Sequence, residues 1–247
     1  MSGHSKWSKV KHQKEQTDSV KAKIFTKMTN AIIIAVRQGG GVTDPIANVR
    51  LRLAIDRARL ANMPKDKIER ALQRGKGEGA EGEVEEAIYE AFGPGGVGII
   101  IEAVTNNKQR TVAGIKNVLD HEGGNLAQSG SVAHMFELVG LIRVLEQGKT
   151  SDEIMEAAID GGAIDIDTEG EENDIYTQAS KLHEVKETIS ARGISISSSE
   201  LYYRPKIVVP VTNKETASKL LRLLTNLEEL EDVHTVFANF DIPNEFL

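Results

Sequence analysis

Residues 140–201 read GLIRVLEQGKTSDEIMEAAIDGGAIDIDTEGEENDIYTQASKLHEVKETISARGISISSSEL, and the order of patterns in this stretch decides the fold. Gly140 to Glu146 is an apolar, β-branched run, and Ser151 to Asp160 changes to helical spacing. Ala163 to Asp167 and Asp174 to Thr177 follow as two strands across a polar tip. Lys181 to Arg192 is a second helix and Ser195 to Leu201 a last strand. Period 2 alternating with period 3.6 in this order is a complete β-α-β-β-α-β run.

Working outward, two half-units flank this run. On the N-terminal side lie a short helix Glu83 to Ala91, the turn Gly93-Pro94-Gly95-Gly96, a strand Gly98 to Val104, a helix Arg110 to His121 and a strand Ser131 to Phe136. On the C-terminal side are a strand Lys206 to Val211, a helix Lys214 to Leu227 and a strand Val233 to Asn239. Short connections and the weakness of an isolated small sheet predict that the last half pairs with the first. The expected fold class is α+β: an N-terminal helical domain followed by two ferredoxin-like α+β domains, one inserted in the other. The boundaries are 1–80 for the basic helical domain, 81–137 plus 205–247 for a discontinuous α+β domain, and 138–204 for the inserted one.

Residues 1–80 read as helices. From Ser19 to Gln38, Phe25, Met28, Ile32, Ala35 and Val36 recur at helical spacing, with Lys23, Lys27, Asn30 and Arg37 on the other side. Gly39-Gly40-Gly41 ends that helix. Asp44-Pro45 opens a second, to about Ala61, whose apolar residues form two opposite stripes: Ile46, Val49, Leu53 and Leu60, and Leu51, Ile55 and Ala58. That pattern predicts a helix sandwiched between neighbours, with Arg50, Arg57, Arg52 and Arg59 projecting from its flanks. A third helix begins near Pro64 and sets Lys67, Arg70 and Arg74 on one face. The glycines of residues 75–82 then mark a flexible connection.

Charge divides at the same place. Residues 1–80 hold 17 Lys and Arg against 7 Asp and Glu, while residues 81–247 hold 13 against 30, giving the formal charge of -7. A basic module beside an acidic remainder is the footprint expected of a protein that meets nucleic acid phosphates. The candidate phosphate ligands are Lys6, Lys9, Lys11, Lys14, Lys23, Lys27, Arg37, Arg50, Arg52, Arg57, Arg59, Lys67, Arg70 and Arg74. Trp7 is read as an anchor for the N-terminal arm.

Other chemistries find little support. With no Cys there is no disulfide, thiol nucleophile or thiolate metal site. The six histidines show no metal-binding spacing, so no metal and no cofactor are expected. Gly93-Pro94-Gly95-Gly96-Val97-Gly98 imitates a dinucleotide fingerprint but precedes a strand instead of a helix. Gly148-Lys149-Thr150 lacks the earlier glycine of a phosphate loop, and Thr150 with Glu153 reads as a capping pair. Asp165, Asp167, Glu169 and Gly170 resemble the start of a calcium loop, but Tyr176 stands where the closing Glu is needed. An RNA platform on the sheet is rejected because the comparable strand, Ala-Ile-Asp-Ile-Asp at 163–167, lacks stacking aromatics. No nucleophile elbow occurs, so the reading is non-enzymatic, with no small-molecule substrate. No membrane-length apolar run or signal segment is present, and a cytoplasmic location is expected.

A series of separated motifs carries a resemblance. Gly3-His4-Ser5-Lys6-Trp7, Lys23-Ile24-Phe25-Thr26-Lys27, Asn62-Met63-Pro64-Lys65-Asp66, Tyr89-Glu90-Ala91-Phe92-Gly93-Pro94-Gly95-Gly96, Gly123-Gly124-Asn125-Leu126 and Ser129-Gly130-Ser131-Val132-Ala133 together resemble the YebC family. The resemblance implies a three-domain α+β protein that acts as a transcriptional regulator binding DNA. Because relatives include a mitochondrial translational activator, it also implies ribosomal RNA or the ribosome as an alternative partner. It draws attention to the loops of Arg110, Asn125 and Ser129. Val42-Thr43, Val49, Lys67 and residues 106–109 depart from the family pattern. A protein-interaction adaptor, with an acidic partner on the basic face, is the reading from another class.

Overall fold

The inserted segment keeps its ferredoxin-like order in space. The computed structural model describes residues 18–77, 85–146, 148–168 and 172–246, with backbone alone for 18–23 and 244. Two compact units result: one is formed by residues 136–206, and the other by the chain on both sides of them.

The larger unit begins with three helices, α1 (Asp18–Gln38), α2 (Val49–Leu60) and α3 (Lys65–Gly75). Then come β1 (Glu85–Phe92), β2 (Gly98–Thr105), α4 (Lys108–Glu122) and β3 (Asn125–Leu126). In the smaller unit, β4 (Phe136–Leu145), α5 (Ser151–Gly161), β5 (Asp165–Asp167), β6 (Glu172–Gln178), α6 (Leu182–Ala191) and β7 (Ile196–Pro205) follow one another. The chain then returns to the larger unit with β8 (Val209–Pro210), α7 (Lys214–Glu229), β9 (Val233–Ala238) and β10 (Phe240–Asp241).

In the smaller unit the sheet order is β5-β6-β4-β7, every pair antiparallel. Gly140 admits the helical layer, because a Cβ there would lie 2.4 Å from Thr177 Oγ1 and 2.8 Å from Leu182 Cβ. Thr150 and Glu153 close a reciprocal capping box at the start of α5. On the face away from the helices, Arg143 lies 3.2 Å from both Asp174 and Glu200. Arg204 covers the Tyr176 ring at 4.0 Å and pairs with Asp165.

The strand order also corrects the comparison with an RNA platform. Residues 165–167 form the edge strand, and the inner third strand is β6. That strand does carry an aromatic residue, Tyr176, but its ring is buried beneath Arg204.

The larger unit holds a sheet in the order β3-β1-β2-β9, again antiparallel. Its core joins Ile99 and Ile101 to Ile115 and Leu119 of α4, Leu220, Leu223, Leu224 and Leu227 of α7, and Val236. Burying a side chain of this kind contributes about 1.5–3 kcal/mol. The layout is that of the smaller unit with one strand permuted: β1 precedes β2 in the chain yet fills the inner place that β6 fills there.

This β1 was expected as a helix. Glu86 with Glu90 and Ala87 with Ala91 satisfy helical spacing, and both residue types favour helices. Eight consecutive pairs with β2 override that local preference. The expected strand Ser131 to Phe136 is likewise replaced: residues 133–135 form a 3-10 turn, and the pairing with β1 is made by Asn125 and Leu126. The C-terminal strand at 206–211 shortens to β8, which pairs in parallel with β10.

Candidate nucleic-acid interface

The basic head is a three-helix packing. Ile32, Ile33, Ala35 and Val36 of α1 meet Leu51, Ala54, Ile55 and Ala58 of α2 and Ile68 and Ala71 of α3, with Met63 between. Asn48 ties the first two helices. Its Oδ1 accepts from Leu51 N at 3.0 Å as an N-cap, while its Nδ2 donates to Ala35 O at 2.7 Å and Val42 O at 3.2 Å. Helix α2 therefore starts at Val49, not at Asp44, because the side chain able to cap it sits at 48.

The expected sandwich around α2 is also corrected. Leu51, Ile55 and Ala58 are buried, whereas Ile46, Val49 and Leu60 of the opposite stripe are exposed. It is α1 that is enclosed: Ile34 is buried on the side away from the head core, and α1 lies against β2 and β9. Lys27 Nζ donates to Glu228 O at 2.5 Å across this joint, and Gln38 Nε2 donates to Glu86 Oε2 at 2.6 Å.

The cations named from sequence thus divide. Lys6, Lys9, Lys11 and Lys14 lie outside the described residues, as does the side chain of Lys23. Lys27 is engaged at the joint, and Arg37 is half-buried with contacts of its own. Arg50 bonds Gln38 and stands 3.8 Å from Glu86. Arg52 is turned to the loop before α2, donating to Pro45 O at 2.8 Å and Ile46 O at 2.9 Å. Arg57 is half-buried with contacts of its own, and Arg59 is exposed.

Helix α3 brings cations together. Lys67, Arg70 and Arg74 share about 60° of arc at 100° per residue, and Lys67 and Arg70 are exposed. Lys67 is steadied by the Phe25 ring, 4.8 Å from its Nζ, and Arg70 by Asp66 at 3.5 Å. Exposed Lys65 and Lys76, absent from the sequence-derived set, sit at the two ends of the same helix.

Arg110, Asn125 and Ser129 do not converge. Asn125 pairs with Phe92 and so lies at the Gly98 end of β2, whereas Arg110 follows Thr105 at the other end, roughly 23 Å along the strand. Arg110 is held by Asp232, with Nη2 2.7 Å from Oδ1 and Nε 3.2 Å from Oδ2, and this carboxylate holds the guanidinium pKa above its ordinary value. Ser129 belongs to a loop shaped by Glu90, a residue that sequence reasoning did not single out. Glu90 accepts from Gly130 N at 2.7 Å, Val132 N at 2.5 Å and Ala133 N at 2.9 Å. Burial pushes its carboxyl up, but those three N–H groups and nearby His134 outweigh it, so the pKa lies below the usual range. The sequence carries no signal for this role, because residues 83–91 fit a helix and the place of Glu90 opposite Ile100 comes from the pairing with β2.

Among the described residues, no group of three or more His, Asp or Glu could hold a metal ion. None of the described helices is long and apolar enough to cross a membrane.

Fold and site together define a class: a basic three-helix module carried by an α+β body with two antiparallel sheets. Residues 5–78 match the family described as TACO1/YebC protein N-terminal domain, and residues 84–240 match TACO1/YebC second and third domain. The chain belongs to the TACO1/YebC family. A probable transcriptional regulatory protein of Sulfurihydrogenibium sp. is 45% identical over 248 residues, covering 100% of this chain and 98% of the relative. One of Acidithiobacillus ferrooxidans is 47% identical over 245 residues, covering 99% and 96%. The crystal structure of a conserved hypothetical protein from Aquifex aeolicus superposes with a TM-score of 0.86 at 41% identity, covering 94% of this chain and 95% of that one.

Proposed function

We propose that the protein is a non-enzymatic, nucleic-acid-binding regulator of gene expression whose helical head, residues 1–80, grips phosphates. The observation that carries this reading is the cationic face of α3, with Lys67 and Arg70 outward and Arg74 beside them. From Lys67 to Arg74 the helix rises about 10 Å, so its cations reach more than one phosphate of a strand. The names of the relatives, probable transcriptional regulatory proteins, support a regulatory role. The contacts suit phosphate instead of base edges, which favours recognition of shape, in duplex DNA or in structured RNA such as that of the ribosome.

The test is the salt dependence of binding. Replacing Lys67, Arg70 and Arg74 with Gln removes three contacts, which lowers the slope of log K against log salt by about 2.7 on duplex DNA or about 2 on single strands. An unchanged slope in a variant with the parent's melting curve favours the adaptor reading. Competition between a duplex and ribosomal RNA then separates the two nucleic acid targets.

A further inference from the structure

The sheet of the smaller unit is buried on both faces, and its helices account for one of them. Gly140 faces Leu182 of α6, so by alternation Val139, Leu141 and Arg143 of β4 point to the other face. Register sets Tyr176 and Glu200 beside Leu141, Asp174 beside Arg143 and Tyr202 beside Val139. Although α5 and α6 lie on the opposite side, Val139, Leu141 and Tyr176 are each 1% exposed and Tyr202 2%. The same face is acidic. Glu137, Asp165, Asp167, Glu172, Asp174 and Glu200 stand on it against Arg143 and Arg204, so carboxylates outnumber guanidiniums even where the two pair. Asp167 lies directly across from Asp174, a placing of like charges that costs stability unless a cation meets them. Asp167, Asp174, Glu200 and Tyr202 have further contacts of their own.

We infer that residues 1–17 of the same chain dock on this face, with Trp7 on its apolar centre and the lysines around it on the carboxylates. The choice of occupant follows from chemistry. Of the segments outside the described residues, 78–84 and 169–171 bring only glutamates as charged groups, and Gln147 and Leu247 bring no charged side chain. Residues 1–17 carry Lys6, Lys9, Lys11 and Lys14 against the single acid Glu15, together with Trp7. In extended chain Trp7, Lys9 and Lys11 fall on one side within about 13 Å, an aromatic ring followed by two cations, which is the combination that an apolar centre edged by carboxylates accepts. Length is no obstacle, since 17 extended residues span up to about 60 Å. Docked in this way, the segment withholds its lysines from phosphates, and a nucleic acid that takes them has to displace it. The docking itself does not depend on the proposed phosphate grip.

Trp7 is the only tryptophan, so the fluorescence of the full chain reports on this segment alone. With no nucleic acid present, its emission is expected at short wavelength and its quenching by acrylamide well below that of a free tryptophan amide, both moving towards the free values as salt is added. Asp167→Lys, on the edge strand β5, is expected to raise the quenching constant at least about twofold while the melting curve stays that of the parent, the effect of weakening a contact by one ion pair. Replacing Lys6, Lys9 and Lys11 with Gln should do the same without touching the face. Zero-length carbodiimide coupling of the unaltered chain reads the contact without any substitution: bonds are expected from the lysines of residues 1–17 to Asp167, Glu172 or Glu200, within one chain at every concentration. Three results overturn the inference. Trp7 quenched like the free amide in the parent means an undocked segment. A protected Trp7 that Asp167→Lys leaves unmoved, with couplings to acids elsewhere, means a different seat. Couplings formed only between chains make a second copy's segment the occupant.

Discussion

Arg110 and Asp232, 122 positions apart in sequence, meet with Nη2 2.7 Å from Oδ1, and so fasten the first turn of α4 to the turn leading into β9. The acid is the more buried partner and the one with more ties. It also accepts from Thr111 Oγ1 at 2.8 Å, and that hydroxyl lies 2.8 Å from Thr105 Oγ1. The two partners are therefore unequal. Asp232→Ala takes away the partner of Arg110 and the shorter of the two oxygen acceptors near Thr111 Oγ1, leaving Asn107 O at 3.1 Å, and should cost about 1–3 kcal/mol. Arg110→Ala removes an exposed guanidinium, and a smaller loss follows because solvent replaces it. Urea unfolding of the two variants checks the ranking; equal losses would mean that Asp232 matters only through the ion pair.

The Glu90 carboxylate makes the fold sensitive to acid in a defined sense. Its pKa is depressed in the folded chain, so its contribution is fully present above the ordinary carboxylate value, about 4.3, and is lost as pH falls through the lower folded value. Glu90→Gln has one acceptor oxygen for three N–H groups. It should cost about 1–3 kcal/mol at neutral pH and flatten the dependence of stability on pH below about 4.3. Parallel melting curves of parent and variant across that acid range test this, as does faster amide exchange at Gly130, Val132 and Ala133.

Asn48 should be the most sensitive single position of the head. Asn48→Ala removes the cap of α2 and the donations to Ala35 O in the last turn of α1 and to Val42 O in the loop that follows, a loss of about 1–3 kcal/mol. Asn48→Asp keeps the acceptor for Leu51 N but places a carboxylate against Ala35 O. If the donated bonds matter more than the cap, Asp is no better than Ala when helix content is followed by circular dichroism through a denaturant series.

These residues show how far the sequence could be read. The β-α-β-β-α-β order of the smaller unit was legible because each period ran long enough to be unambiguous, and the turn glycines stood where the chain bends. The strand β1 was not, since Glu and Ala at four-residue spacing fit a helix, and what decides against it is pairing with β2. The arginines of α2 read as projecting from its two flanks, Arg50 with Arg57 and Arg52 with Arg59, because helical arc fixes direction, not partners. Arg50 and Arg52 are drawn inward by Glu86 and by the carbonyls of Pro45 and Ile46, contacts set by tertiary approach. Glu90 was invisible for the same reason, its three partners lying about 40 residues away.

Gly140 offers a test of packing in the smaller unit. A methyl group there meets Thr177 Oγ1 at 2.4 Å and Leu182 Cβ at 2.8 Å, atoms of β6 and of the first turn of α6. Gly140→Ala must push the helix from the sheet, at a cost of about 1–3 kcal/mol, despite the usual entropic benefit of replacing glycine. Pairing it with Thr177→Ala, which removes the nearest atom, should recover part of the loss, whereas simple additivity in chemical denaturation would place the strain elsewhere.

The buried phenol of Tyr176 predicts how the fold responds to alkali. Burial raises its pKa from the ordinary 10 to about 12, helped by the carboxylate of Asp174 and opposed by the charge of Arg204 above the ring. An acid whose pKa is raised in the folded state keeps its proton there while the unfolded chain has already released it. Stability is therefore intact below about pH 10 and declines as pH rises from there towards about 12. Tyr176→Phe retains the ring under Arg204 and removes the titrating group, so the variant should lose stability less steeply than the parent over that window. Arg204→Ala has two opposed effects, since it removes a charge that favours the phenolate and also uncovers the ring. Burial is the larger influence, so the phenol should titrate closer to 10 in that variant. Ultraviolet titration of the parent, of Arg204→Ala and of Tyr176→Phe distinguishes these outcomes: a tyrosine missing from the late phase in Tyr176→Phe, and shifted earlier in Arg204→Ala, is expected. An unmoved late phase in Arg204→Ala would mean that the sheet itself, and not the guanidinium lid, shields the ring.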